Sequence, residues 1–243
     1  MTDLVRIVLV EPSHPGNVGS VARAMKTMAL SDLVLVRPRA FPHPDAVALA
    51  AGADDVLAAA RVVDSVADAV ADCAFVAGTT SRPRNFSWEF ATPRETAARV
   101  AALPDGTRAA LLFGSERFGL ANEDLAHCAL LVRIPANPAY ASLNLAMSVQ
   151  LLTYELFVAR ERPEGKRQWE APPAEAAELE HLYAHLAQVL AEVEFADRTG
   201  YLMERLRRLF NRTGLDKNEI NLLRGILSAV TGKRRRTVPP GDR

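Results

Sequence analysis

Ile134–Leu152 reads IPANPAYASLNLAMSVQLL. Pro135 and Pro138 deny its first half a continuous strand or helix, because proline lacks the N–H that either ladder needs. Beyond Ser142 and Asn144 the pattern turns apolar. Leu143, Met147, Leu151 and Tyr154 recur at helical spacing, and Leu145, Ala146, Val149 and Leu152 fill the positions between them. A helix apolar nearly all round is expected to be buried and packed on two sides. Ser142, in an N-cap-like position, would leave free helical N–H groups facing whatever lies beside the loop. The stretch therefore reads either as a binding loop joined to a core helix or as a capped core helix behind a proline-rich loop.

Upstream, Val5–Val10, Leu33–Val36, Ala74–Gly78, Arg108–Phe113 and Leu130–Ile134 are short continuous apolar runs, and Val62-Val63 is a shorter one. Such runs mark strands covered on both faces. Helical patterns fall between them at about Val18–Met28, Ala46–Leu57, Ser65–Ala71 and Pro93–Ala102, the first fed by a glycine-rich turn at Ser13–Ser20. The alternation predicts an α/β fold, a parallel sheet with helices on both faces. Ligands in such sheets bind at the carboxyl ends of the strands. Three polar loops fall at such ends, after Gly78, after Phe113 and after Ile134, and together they predict one site.

Of the 243 residues, 49% are hydrophobic and 24% charged, an ordinary globular composition. The apolar run near the N-terminus is too short for a signal h-region, and no run of about 18 apolar residues exists to span a membrane. Cys73 and Cys128 lack CxxC partners and read as buried thiols in a reducing compartment, which places the chain in the cytoplasm. His181 and His185 are four apart without an HExxH pattern, so no metal is expected. Composition changes after Arg160. Residues 161–173 (ERPEGKRQWEAPP) read as a linker, followed by helices at about Ala174–Glu194, Tyr201–Asn211 and Asn218–Thr231. The expected organisation is an α/β domain over 1–160, a linker over 161–173, a small all-α extension over 174–232 and a basic tail over 233–243. Net charge is zero, but 171–197 carries six acidic residues and no Lys or Arg, whereas 198–243 carries twelve Lys/Arg against four acidic residues. A basic end suggests an anionic partner such as nucleic acid, with a solvated basic helix and a frayed tail as the alternative.

The common nucleotide and hydrolase signatures are missing: Gly16-Asn17-Val18-Gly19 is not GxGxxG, no Walker lysine follows, and Gly114–Gly119 has the wrong spacing for GxSxG. What remains is an ordered triple: Asn17 and Arg23 on the first turn and helix, LLFGSERFGL at Leu111–Leu120 with Gly114 and Glu116, and Ile134-Pro135 with Ser142-Leu143-Asn144. This triple resembles the three motifs of the SPOUT superfamily of S-adenosylmethionine-dependent RNA methyltransferases, in its TrmH-like 2′-O-ribose branch. The spacing and the helical extension look most like the members of that branch that methylate cytidine and uridine in tRNA.

The resemblance implies a trefoil knot made by the loops after Phe113 and Ile134, with the helix from Leu143 threaded through. It implies a homodimer whose site is completed by the second subunit, and S-adenosylmethionine as cofactor. Carried over by position, Thr79, Thr80, Ser81, Gly114, Ile134, Ala141, Ser142 and Leu143 would hold the cofactor, and Arg23, Asn17, Glu116 and Ser142 would be catalytic. A guanidinium stays protonated below a pKa of about 12. Arg23 is therefore expected to bind the adjacent phosphate and stabilise alkoxide charge, leaving the proton to water or phosphate. RNA would meet Arg23, Arg82 and Arg84 beside Phe86 and Trp88, a loop equally suited to packing on the dimer partner, and Arg205 and Arg208 on the basic helix. The implied target is nucleotide 32 of the tRNA anticodon loop, with ribosomal RNA or a non-catalytic RNA-binding role as the alternatives.

Overall fold

The computed structural model describes residues 4–81, 88–161, 169–197 and 200–237. The expected loop contacts of Arg82, Arg84 and Phe86 lie outside these residues. Strands β1 (Val5–Val10), β2 (Leu33–Val36), β3 (Arg61–Val63), β4 (Phe75–Thr79), β5 (Phe90–Ala91), β6 (Ala109–Phe113) and β7 (Leu130–Val132) form one sheet. Its order is β3-β2-β1-β6-β4-β7-β5, and every pairing is parallel. The helices are α1 (Pro15–Thr27), α2 (Pro44–Ala50), α3 (Asp54–Ala58), α4 (Val66–Val70), α5 (Pro93–Ala101), α6 (Asn122–Leu125), α7 (Leu145–Glu161), α8 (Ala176–Glu192), α9 (Leu202–Thr213) and α10 (Lys217–Thr237).

Alternate side chains of β1 serve two cores, as the period of two in a strand requires. Ile7 and Leu9 point into the layer of α1, α2, α5 and α7, meeting residues such as Met25, Ala97 and Val149. Val8 and Val10 point into the opposite layer, with Val66 and Val70 of α4 and Leu125 of α6. Each fully buried aliphatic side chain contributes roughly 1.5–3 kcal/mol, and this two-sided burial is why the strands are continuous apolar runs. α1 begins at Pro15, so the expected glycine-rich turn is helical. A Cβ on Gly19 would lie 2.0 Å from the Ala46 carbonyl oxygen, so its hydrogen is what lets α2 press against α1.

Several elements differ from expectation. The alanine-rich run Ala46–Leu57 forms two helices, because Ala51 turns into the left-handed region at φ 47° and Gly52 follows at φ 90°. The two-residue β5 and the four-residue α6 are too short to leave a periodic pattern. The start and cover of α7 also differ. Its cap is Asn144 rather than Ser142: the Asn144 Oδ1 accepts from the Ala146 N–H at 2.8 Å. It is not covered on two sides either. Leu145, Val149, Leu152 and Leu156 are buried, but Met147 is 57% exposed, Tyr154 51% and Leu151 42%.

The helical extension is docked rather than merely tethered. The Ala176 and Ala177 N–H groups donate to the carbonyls of Cys73 (2.8 Å) and Ala71 (3.0 Å), which fixes the start of α8 beside α4. Ala174, Leu182, Leu215 and Ile220 form a third small core. On α9, Leu209 is 44% exposed while Phe210 packs against this core. Trp88 packs partly against the second core, so it is a packing residue and not a free stacking platform. Cys73 and Cys128 are free and buried; burial pushes the Cys73 thiol up to about 12 and the Cys128 thiol higher still. Among the described residues no helix is long and apolar enough to cross a membrane, and no group of three or more His, Cys, Asp or Glu could hold a metal.

Candidate active site

Four strands that are neighbours in the sheet, β1, β6, β4 and β7, send their carboxyl-end loops to one place. There they surround a cavity of about 650 Å³. The loop after β6 is a tight hook: the Gly119 N–H donates to the Ser115 carbonyl at 2.8 Å, and Gly119 takes φ 71°. A Cβ on Gly114 would sit 2.0 Å from the Gly119 carbonyl carbon, so only glycine lets the two arms of the hook close. The neighbouring loop is pinned at both ends of Thr79–Thr80: the Thr79 hydroxyl donates to the Leu112 carbonyl at 3.0 Å, and the Thr80 N–H donates to the Val132 carbonyl at 3.0 Å.

A chain of hydrogen bonds ties the first, second and third motifs together. Glu116 accepts from the Ser13 N–H (2.9 Å), the Ser13 hydroxyl (2.7 Å), the His14 N–H (3.2 Å) and the Asn17 amide nitrogen (2.8 Å). The Asn17 Oδ1 in turn accepts from the Asn144 amide nitrogen at 3.2 Å. Partial burial alone would raise the Glu116 carboxyl, but the donors from Asn17 and Ser13 outweigh it and hold the group at about 2. It is therefore a fixed anion and an acceptor, too weak a base to take a proton near neutrality. Both ends of the Asn17 amide are engaged, so this side chain links the loops of the three motifs.

The cavity lining brings together Asn17, Thr79, Thr80, Ser81, Gly114, Glu116, Ile134, Ala141, Ser142 and Leu143, all named from the sequence. Arg23 is not among the lining residues; it lies exposed on α1. Arg205 is exposed on α9, and Arg208 is half-buried with its guanidinium 5.9 Å from the Trp88 ring centre. Sequence reasoning missed Ser115, Phe118, Leu120, Val132, Tyr140 and Ser148, which also line the cavity. Leu120 and Val132 looked like ordinary core positions, and Phe118 and Tyr140 gave no signal beyond being aromatic residues in polar loops. Among the described residues the lining holds no His, Lys or Cys.

The model of the SpoU rRNA Methylase family matches residues 4–154, and that of the tRNA methyltransferase TrmJ C-terminal domain matches residues 177–239. The chain is 46% identical over 241 residues to tRNA (cytidine/uridine/adenosine-2′-O-)-methyltransferase TrmJ of Pseudomonas aeruginosa, covering 94% of each. It is 48% identical over 238 residues to tRNA (cytidine/uridine-2′-O-)-methyltransferase TrmJ of Pectobacterium atrosepticum, covering 95% of this chain and 98% of the other. Its fold matches the crystal structure of TrmJ from Z. mobilis ZM4 with a TM-score of 0.81 at 38% identity, over 93% of this chain and 98% of that one. With the motif residues gathered at one cavity and this likeness running the length of the chain, the protein belongs to the SpoU rRNA methylase family.

Proposed function

We propose that this chain is an S-adenosylmethionine-dependent methyltransferase that modifies the ribose 2′-hydroxyl of cytidine or uridine in tRNA, at position 32 of the anticodon loop. The observation that carries the reading is the cavity at the ends of β1, β6, β4 and β7, where all three motifs meet. Its residues fit the cofactor. Leu120, Val132, Ile134 and Leu143 offer apolar walls for an adenine, while Thr79–Ser81 and Ala141–Leu143 bring backbone donors and acceptors. The hook closed at Gly114 lets main chain approach where a side chain would intrude. When bound, S-adenosylmethionine supplies an electrophilic methyl group on a sulfonium.

The protein's own residues hold and orient. Glu116, Asn17 and Asn144 lock the three loops in one register, and Ser142 lines the cavity beside them. Transfer then depends chiefly on in-line placement of the 2′-oxygen. Among the described residues no lining side chain is a base suited to neutral pH, which favours water or a phosphate oxygen as acceptor of the hydroxyl proton.

Arg23 enters from a second copy of the chain. The Thr27 hydroxyl, one turn along α1 from Arg23, is 3.5 Å from the Gln150 side-chain oxygen on α7. Arg23 is exposed on α1, the helix that packs on α7, and α7 exposes a stripe of Met147, Leu151, Tyr154 and Val158. Pairing two such stripes buries the apolar surface and carries each Arg23 toward the other subunit's cavity, giving a homodimer with shared sites. There the guanidinium binds the phosphate next to the target ribose and stabilises developing negative charge. The match to the TrmJ C-terminal domain favours tRNA over ribosomal RNA, and such an enzyme works in the cytoplasm.

The test is transfer of labelled methyl from S-adenosylmethionine to total tRNA and to ribosomal RNA, followed by nuclease mapping. A nuclease-resistant 2′-O-methyl dinucleotide from the anticodon loop is expected; label in ribosomal RNA alone would overturn the tRNA assignment. Arg23→Ala is expected to abolish turnover while calorimetry shows cofactor affinity intact. Parallel loss of cofactor binding would contradict its role.

A further inference from the structure

Two large aromatic side chains line the cavity and stand exposed among the described residues: Tyr140 is 77% exposed and Phe118 65%. Neither belongs to any of the three hydrophobic cores. Each is held out by a hydrogen-bonded turn. The Tyr140 N–H donates to the Asn137 carbonyl at 2.9 Å, and the Asn137 side chain accepts from the Ala139 N–H at 3.0 Å. Phe118 rides the apex of the hook, its N–H donating to the Ser115 hydroxyl at 3.3 Å. The Arg117 guanidinium lies 5.2 Å from the Phe118 ring centre, placing positive charge beside an apolar face.

Exposed rings on rigid turns are poorly explained by folding, since they bury almost nothing. They are well placed for a flat ligand at the open end of a site whose deeper walls, Leu120 and Val132, are already closed off. We propose that Tyr140 and Phe118 form the stacking platform for the base of the target nucleotide, a pyrimidine lifted out of the anticodon loop. The proposal rests on the functional reading above and adds the residues that receive the base. Stacking uses a π-face that every base has, so such a platform orients the nucleotide while tolerating changes in its hydrogen-bonding edge. This predicts a site that accepts cytidine and uridine alike.

The experiment uses the full chain and a tRNA transcript carrying 2-aminopurine at the target nucleotide, whose fluorescence is quenched on stacking. Wild type is expected to quench it and to methylate unmodified tRNA. Tyr140→Ala and Phe118→Ala are expected to lose the quenching and to lower kcat/KM for tRNA about 10- to 100-fold, the usual worth of one base–aromatic stack. Tyr140→Phe, which keeps the ring, restores both. S-adenosylmethionine affinity by calorimetry and mass by light scattering stay unchanged in all three variants. Weakened cofactor binding would assign the rings to the cofactor's adenine and overturn the proposal, and a changed mass would assign them to the subunit interface with the same result. Full activity of both alanine variants beside an active wild type would dismiss the platform alone. An inactive wild type would instead sink the functional reading beneath it.

Discussion

Glu116 takes four donors from a single stretch, Ser13 to Asn17, and so converts a loop end into a fixed anchor for the second motif. Replacing it by glutamine keeps the shape but turns one acceptor oxygen into an NH₂ that meets N–H donors. Glu116→Gln is therefore expected to lower methyl transfer about 10- to 100-fold, the equivalent of roughly 1–3 kcal/mol for a spoiled hydrogen-bond set. The same substitution has a pH signature. The folded carboxyl stands at about 2 against its ordinary 4.5, so the stabilising effect is fully present above 4.5 and fades as pH falls toward 2. The difference in Tm between wild type and Glu116→Gln should thus be constant at neutral pH and shrink on acidification below 4.5. A difference that persists to the acid limit would mean the anion is not what holds the hook.

α7 shows what an element's sequence can and cannot say. Its buried residues, Val149, Leu152 and Leu156, pack on α1 and α5, while Met147, Leu151, Tyr154 and Val158 form a second apolar stripe facing outward. If that stripe is the subunit interface, Leu151→Lys should convert dimer to monomer by light scattering and abolish transfer. The chain's own stability should change by only about 0.5 kcal/mol, because the side chain is already exposed within one chain. A wild-type monomer, or a dimeric variant, would refute the interface. The sequence pattern marked the helix as apolar all round but could not say which side the fold would leave exposed, since both sides look alike until the fold assigns them. The parallel strands were legible for a related reason: burial on both faces leaves continuous apolar runs such as Val5–Val10. β5 and the break at Ala51 were not, because two residues carry no period and an alanine in the left-handed region looks like any other alanine. The cavity loops could be read because their residues sit where strands end; Phe118 and Tyr140 could not, because their exposure is a property of the turns that carry them.

Across the whole molecule, acidic and basic segments adjoin in the extension, and the packing decides which charges are free. Arg207 is committed: it bonds Glu180 at 2.8 Å and lies 4.5 Å from the Tyr183 ring centre. The Tyr183 hydroxyl donates to the Asn211 side chain at 2.6 Å, whose amide donates to the Ala126 carbonyl at 2.9 Å, just beyond α6 and the cavity hook. This seam fixes α9 against the catalytic layer, so that exposed Arg205 and Arg212 hold a set position relative to the site. Phosphate contacts of that kind set register and orientation without reading sequence. Removing both, as Arg205→Ala with Arg212→Ala, should weaken tRNA binding and flatten the dependence of log K on log salt by about 1.5, at roughly 0.7–0.9 per phosphate. Arg207→Ala, by contrast, should loosen the seam and lower Tm with little change in slope, because its charge is already neutralised by Glu180. Filter binding across a salt series separates the two. A slope unmoved by the double substitution would place the RNA path away from α9, and a slope moved equally by Arg207→Ala would mean the seam opens when RNA binds.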